Sequence, residues 1–578
     1  MLAERIDVAV IGGGFAGLAA IRQLQRERPS TTCVVIDARA LPGDRERRGV
    51  GESTSELAAW YLARRLDLRE HLEREQIVKF GLRFWLREPG RGTAIAERVE
   101  WGPMTRPLAA PDRLSVPLEP HAYQLHRGRL EHALVELVVA AGAELLGEHR
   151  LIARRDHPVG HELELAGPRG TTTIRARWVI DASGDGAPTR AALGDAADER
   201  VLDHRLAAAW WWVEGRLDPA DWSSDPQIAA RGLPIHRWRS THHLVGEDYW
   251  AWLIPLSDGS TSVGLVANES AQPIDGSPPE LAAILRAELL RREPELGERL
   301  RDMPSSPAIG GRPRSRAFSR PLHARWLTTG GALAFLDPLY SSGHDLTALI
   351  HEIAIPRIVD DLEGRSIDAG IEHANRSFAS VIDHFATNYV GNAIVLADPA
   401  LASLAIGWDQ LVYFGWLATL GLSGRLGDPS LAQASVALAD RVHRLNHRVH
   451  ALLRRWADDR RHRPGLALAH RHVDQGQIRT LMERFFRLDR LARGEADAPD
   501  VIACLHQSVD RLELAALALL ERACVDRGHR FPSEPIDPYA IGFDPSRWAA
   551  EGLYGRRRAR RLEPEVQRDF ARLALADA

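Results

Sequence analysis

Apolar and polar positions alternate in two distinct ways along the chain. The run Ile6-Asp7-Val8-Ala9-Val10-Ile11 reads as a strand; it stops at Gly12-Gly13-Gly14, where a helix follows, and a second apolar strand then ends at Asp37. Residues 123–145 read as a basic turn and an amphipathic helix leading into a strand, and residues 177–190 ("RWVIDASGDGAPTR") as a strand ending in a glycine-rich turn. Residues 201–300 mix tryptophan-rich strands with turns and close on a helical pattern. Beyond about residue 380 the apolar spacing becomes i, i+3, i+4 in three long segments, which predicts a mostly helical region. The most apolar of these, "LELAALALLERACV", is interrupted by Glu513 and Glu521-Arg522, so it suits a packed helix rather than a membrane span. No internal repeat or low-complexity segment is visible.

Composition narrows the class without naming it. The 578 residues are 45% hydrophobic and 26% charged, enough for two or three domains with ample cores. A net charge of −4 gives no broad attraction to nucleic acid or acidic membranes. Cys33, Cys504 and Cys524 lack metal-ligand spacing and are expected as reduced thiols in a soluble, cytoplasmic protein, and no secretion signal precedes the first strand. His443, His447 and His450, at helical spacing among arginines, read as a solvated face rather than a metal site, and so does the run 556–561.

The first forty residues carry cofactor chemistry. Gly12, Gly14 and Gly17 have GxGxxG spacing between a strand and a helix, and Asp37 follows about 20 residues further on at the end of the next strand. In that order the glycines allow a tight turn and close backbone approach, the helix N-terminus meets a pyrophosphate, and the acid accepts hydrogen bonds from a ribose. The segments at 123–145 and 177–190 resemble those of glutathione-reductase-type flavoprotein monooxygenases, which implies FAD rather than NAD. Only one convincing fingerprint is present, so reducing equivalents are expected from a separate flavin reductase.

Four further motifs lie in order along the chain: Gly51-Glu52-Ser53; Lys79, the one lysine among 74 basic residues; Trp250-x-Trp252-x-Ile254-Pro255; and Asp337-Pro338 followed by Ser341-Ser342-Gly343. Their sequence over residues 1–380 resembles the flavin-dependent halogenases, closer to the phenol and pyrrole type. The resemblance implies an α/β glutathione-reductase-type fold, with a discontinuous FAD domain (1–80, 120–200, 300–380) and an inserted mixed-sheet substrate domain (81–119, 201–299); the i, i+3, i+4 spacing adds a helical C-terminal domain (381–578), a long tail for this family, expected to pack over the substrate entrance. The resemblance further implies FADH2- and O2-dependent chlorination or bromination of an electron-rich aromatic natural product, free or carrier-tethered. Hypohalous acid formed at the flavin travels to Lys79, which hydrogen-bonds the oxidant or becomes a haloamine; a guanidinium is a far poorer nucleophile. FAD would be held by Gly12, Gly14, Gly17, Asp37, Glu52, Ser53, Arg127, Asp337 and Pro338, and chloride or bromide by Ser342 and Gly343. Trp250 and Trp252 would keep substrate from the flavin, while Trp210, Trp211 and Trp212 suit either a substrate cavity or a core.

Three departures from the family pattern qualify this. Tyr340 stands where tryptophan-type halogenases carry a glutamate, which disfavours free tryptophan as substrate. Asp345 places an acid beside the expected halide site, where it would repel an anion. Gly330-Gly331 replaces the Gly-Asp whose aspartate binds the ribityl chain in many FAD monooxygenases. Alternatives are a hydroxylating FAD monooxygenase that uses no halide, a flavin-dependent reductase of isoprenoid double bonds, and a catalytically silent flavin-binding component.

Overall fold

The computed structural model describes residues 6–88, 90–102, 121–223, 226, 237–270, 273–323, 325–462, 472–474 and 487–574. Residues 103–119 of the expected substrate segment lie outside the described residues. The chain divides into two compact units: Met1–Val78, Ala122–Leu202 and Arg314–Ile382; and Lys79–His121, Asp203–Pro313 and Asp383–Ala578.

In the first unit the sheet order is Leu322–His323, Trp326–Thr328, Gly170–Asp181, Ile6–Ile11, Cys33–Ile36, Glu144–Leu146. The last five strands are parallel. At the centre of the sheet the paired segments Val8–Ile11, Val34–Ile36 and Trp178–Ile180 are wholly apolar and buried, as burial on both faces of a parallel sheet demands. Ile11 lies opposite both Ile36 and Asp181, so three strands end level and Gly12, Asp37 and Ala182 open loops at one edge. The helix Phe15–Glu27 buries Leu18, Ala19, Ala20, Ile21 and Leu24 and packs against Arg127–Ala140 and Gly343–Leu362. Ligands of open α/β sheets bind at this carboxyl edge.

The second unit has a mixed sheet, mainly antiparallel, in the order Glu199–Glu214, Ser260–Asn268, Tyr249–Pro255, Thr241–Val245, Leu82–Leu86, Val99–Gly102, His472–Asp474. One face carries Ala209, Trp211, Leu244, Ala251, Leu253, Val263 and Leu265 onto Leu281, Leu285 and Leu289 of the helix Pro278–Arg292. That helix starts with a Ser277/Glu280 capping box and a proline in its first turn, which together satisfy its free N–H groups.

The helical region after residue 383 belongs to this second unit. Three of its helices, Pro399–Val412, Pro429–Arg461 and Ala498–Asp526, each begin at an aspartate N-cap (Asp398, Asp428, Asp497) followed by proline in the first turn. One expectation fails here and another holds. His450 is fully buried: its Nε2–H donates to Asp409 at 2.9 Å, and Asn392 Nδ2 donates to its Nδ1 at 3.0 Å, so only His447 of the three histidines is on an exposed face. The basic run lies largely at the surface, with Arg556, Arg557, Arg560 and Arg561 exposed, and Arg560 also pairs with the buried Glu513 at 2.8 Å and with Asp510 at 2.6 Å. Arg441 and Tyr539 also donate to Glu513, each at 2.6 Å, which is how an acid is tolerated inside an apolar helix. Among the described residues no helix is long and apolar enough to cross a membrane, and no group of His, Cys, Asp and Glu could hold a metal.

Candidate active site

In the first unit the three fingerprint glycines do different jobs. Gly12 has φ +112°, and a Cβ there would lie 2.3 Å from the Ala182 carbonyl oxygen; a Cβ on Gly17 would lie 2.1 Å from the Gly12 carbonyl oxygen. These two are required by the fold itself. Gly14 is different: a Cβ there would meet nothing nearer than Glu131 Oε1 at 3.8 Å and Arg39 at 4.0 Å. The fold thus has room for a Cβ at Gly14, at the N-cap of Phe15–Glu27 where a pyrophosphate needs bare backbone, and the Glu131 carboxylate is its nearest neighbour. FAD fits this cradle.

Asp37 borders it. Its Oδ2 accepts from Gly13 N–H at 2.7 Å, and Arg39 grips both carboxylate oxygens at 3.0 and 2.8 Å. Burial alone would raise the Asp37 carboxyl, but Arg39 and the backbone N–H groups of Arg39 and Gly13 outweigh it and hold it below the usual carboxylate range. Arg127 donates to the Val50 carbonyl at 2.8 Å and to Glu131 at 2.6 Å, tying the loop before Gly51-Glu52-Ser53 to the cradle. Arg39, Arg47 and Glu131 escaped the sequence reading; a weak signal was Glu131 standing one helical turn after Arg127.

The Gly51-Glu52-Ser53 segment meets the Asp337-to-Gly343 turn. Glu52 and Ser53 are buried, with the Glu52 carbonyl accepting from Leu125 N–H at 2.7 Å and Ser53 bridged to Gln124. His344 donates from Nδ1 to the Ser53 carbonyl at 3.3 Å, and its ring packs edge-on against Phe15. Asp337 folds its carboxylate back onto Leu339 N–H at 2.9 Å, and Ser341, at φ +61°, closes on the Pro338 carbonyl. Ser342 is the N-cap of the 20-residue helix Gly343–Leu362, and a Cβ on Gly343 would meet no atom within 4 Å. The first-turn N–H groups of a helix favour an anion by about 0.3–1 kcal/mol.

The expectation that Asp345 repels that anion is corrected by its surroundings. Asp345 is 2% exposed, and its Oδ1 accepts from Ser55 Oγ–H and, at 3.0 Å, from Ala58 N–H. The carboxylate thereby serves the third N–H of the helix Glu56–Trp60. Gly330-Gly331 is held by Arg316, which donates to the carbonyls of Ala332 at 2.8 Å and Gly331 at 3.0 Å. Six residues further along the same helix as Asp345, buried His351 bonds Tyr61 and Thr329 at 2.8 Å each, and burial drives its pKa to about 3.

In the second unit the sheet register assembles an aromatic row. Trp210, Gly264, Trp252, His243, Phe84 and Trp101 lie directly opposite one another on successive strands and so share one face. His243 stacks on Phe84 with ring centres 4.6 Å apart and touches Trp250 at 5.6 Å, while Trp250 and Trp252 stand 5.8 Å apart. Gly264 is the gap in the row because Trp252 lies across it: a Cβ there would be 2.1 Å from the indole, whose N–H donates to Ser262 at 3.1 Å. Trp211 faces the opposite way, into the core under Arg286, so the tryptophan triplet divides between the two faces.

Lys79 enters this sheet at its start. It is 6% exposed, three residues ahead of the strand Leu82–Leu86. The following residues are fixed by Phe80 N–H to the Arg239 carbonyl at 3.1 Å, Ser240 Oγ–H to the Phe80 carbonyl at 2.7 Å, and Thr241 N–H to the Gly81 carbonyl at 3.0 Å. Of this face the sequence reading named Trp250 and Trp252, with Trp210 as suiting either a substrate cavity or a core; His243, Phe84 and Trp101 join through register alone.

Comparison with known proteins matches residues 7–331 to the family described as FAD dependent oxidoreductase, more than half of the chain. The flavin-dependent halogenase chlA of Dictyostelium discoideum is 25% identical over 446 residues, 71% of this chain and 70% of that protein. Among solved structures, the halogenase PltM superposes with a TM-score of 0.59 at 16% identity, covering 88% of this chain and 96% of its own. The chondrochloren halogenase CndH follows at TM-score 0.53 and 22% identity over 68% of this chain and 83% of its own, a likeness of fold. The chain belongs to the FAD-dependent oxidoreductase family, as an enzyme whose relatives and fold neighbours are flavin-dependent halogenases.

Proposed function

We propose that the protein halogenates an electron-rich aromatic, using FADH2, O2 and chloride or bromide, with Lys79 carrying the activated halogen to the ring. The observation that supports this most is the placement of the chain's one lysine, buried, at the head of the sheet that carries Trp250 and Trp252. FADH2, when bound, supplies the electrons that activate oxygen for halide oxidation. The chain's own groups do the rest. Gly12, Gly14, Gly17, Asp37 and Arg127 hold the dinucleotide, with Glu52, Ser53, Asp337 and Pro338 shaping the flavin end. Ser342 and Gly343 offer helix N–H groups to halide, and the commitment of Asp345 to Ser55 and Ala58 removes the objection that an acid opposes it. Trp250 and Trp252 form a wall that excludes water and orients an aromatic ring.

The solved complex of PltM with phloroglucinol and FAD supports a phenol-like substrate, and Tyr340 in place of an acid agrees. A separate flavin reductase follows from the single dinucleotide fingerprint. Three unpaired cysteines fit a reducing cytoplasm. The test incubates the protein with photochemically or enzymatically reduced FAD, O2 and phenolic or pyrrolic candidates, in chloride and in bromide. Products whose isotope pattern follows the halide supplied are expected; hydroxylated products indifferent to halide would move the protein to the monooxygenases.

A further inference from the structure

The N-terminus of the helix Phe15–Glu27, where the dinucleotide's pyrophosphate is to sit, already faces a carboxylate. Glu131 Oε1 accepts from Phe15 N–H at 3.3 Å and is the atom nearest to a Cβ on Gly14, at 3.8 Å. It reaches there from the helix Arg127–Ala140 and is nearly buried. Two arginines hold it: Arg127 donates to Oε1 at 2.6 Å and Arg47 to Oε2 at 2.5 Å. Asp37 and Arg39 complete the charged groups around the cradle, and these two are paired with each other.

We propose that Glu131 is a residue that sets cofactor affinity: its carboxylate occupies the anion seat of the FAD site and must yield it to the pyrophosphate, so that FAD is held loosely enough to exchange. Two negative groups cannot share one helix N-terminus without mutual repulsion, and Arg127 and Arg47 are cations that Glu131 already engages. When pyrophosphate enters, the same arginines retain Glu131 at a distance or turn to the phosphate oxygens; in either case binding is weakened by the cost of displacing a paired carboxylate. The role rests on the FAD reading of the fingerprint. It makes sense of an enzyme fed by a separate reductase, which has to take up reduced FAD and release oxidised FAD each turnover.

The test measures oxidised FAD binding by isothermal titration and its dissociation by stopped-flow fluorescence, neither of which involves halogenation. Glu131→Gln, which keeps the shape and removes the charge, is expected to bind FAD roughly tenfold more tightly, mainly through slower release. Glu131→Asp keeps the charge but draws it back from Phe15 N–H by one methylene, and a smaller gain in the same direction is expected. Melting of the FAD-free proteins separates a folding defect from an affinity change. Unchanged or weaker FAD binding by folded variants of both kinds would overturn the proposal and make Glu131 a support for Arg127. If no variant, nor the parent protein, binds FAD, the cofactor reading itself fails.

Discussion

The glycine cradle of the first unit and the aromatic row of the second are both candidate chemical surfaces, built by opposite means. The cradle is made of backbone: strand ends brought level by parallel pairing, a helix N-terminus, and glycines that leave room. Its recognition groups come from residues close in sequence, with Arg127 and Glu131 added from the neighbouring helix. The row is made of residues from six strands whose members span Phe84 to Gly264, and no two neighbours in it are adjacent in sequence. The frame of a backbone site rests on its glycines, whereas a side-chain site depends on register and parity.

The largest effects should separate fold from cofactor within the cradle. Gly12→Ala drives a Cβ into the Ala182 carbonyl at a positive φ and is expected to cost about 3 kcal/mol or more, read as a fall in the melting temperature of the FAD-free protein. Gly14→Val meets no backbone and only the ends of the Glu131 and Arg39 side chains, so melting should move far less than for Gly12→Ala while FAD affinity falls about 100-fold or more. Equal destabilisation by both would erase the distinction between a fold glycine and a cofactor glycine.

Acid should probe each unit through one buried histidine. His351 in the first and His384 in the second are each held at a pKa of about 3, chiefly by burial. Such a group binds fewer protons folded than unfolded. Its contribution is complete above the ordinary value of 6.5 and is lost as pH falls from there toward 3, by up to about 1.4 kcal/mol per pH unit for each histidine. Urea titrations from pH 7 to 4 should show this slope, reduced by about one histidine's share in His351→Gln. An unchanged slope in that variant would mean that the imidazole is not buried neutral.

In the row, Gly264→Val must push Trp252 off its neighbouring strand, at about 2 kcal/mol by overpacking, with a shift in tryptophan emission and no change in FAD affinity. The smallest effect belongs to Asp345→Asn. It keeps an acceptor for Ser55 and Ala58 and should cost about 1 kcal/mol or less, with the halide dependence of turnover unaltered. A marked tightening toward halide in that variant would restore Asp345 as a repelling charge.

How far the sequence reached follows from the same contrast. The strand-turn-helix at the start, the capped helices near the end and the FAD fingerprint are local patterns, and each is present in the structure. Parity is not local: that Trp211 turns into the core while Trp210 joins Trp252 depends on pairing with residues 262–264 and 250–254. Asp345 looked like a free acid because its partners, Ser55 and Ala58, lie almost 300 positions earlier. His450 looked solvated because nothing in its own helix reveals Asp409 or Asn392. Charges that read as surface groups from spacing alone were in these cases satisfied by distant partners.

The central claim is that Lys79 relays halogen as a compact amine. The most direct measurement pairs product mass with the rate of reduced-flavin oxidation for Lys79→Arg and Lys79→Ala beside the parent enzyme. The account predicts that both variants lose halogenated product by about 100-fold or more while oxygen still consumes reduced FAD at close to the parent rate. Halogenation undiminished in Lys79→Arg would show that a positive charge suffices, and loss of flavin oxidation together with product would place Lys79 in the support of the flavin chemistry; either result contradicts the relay.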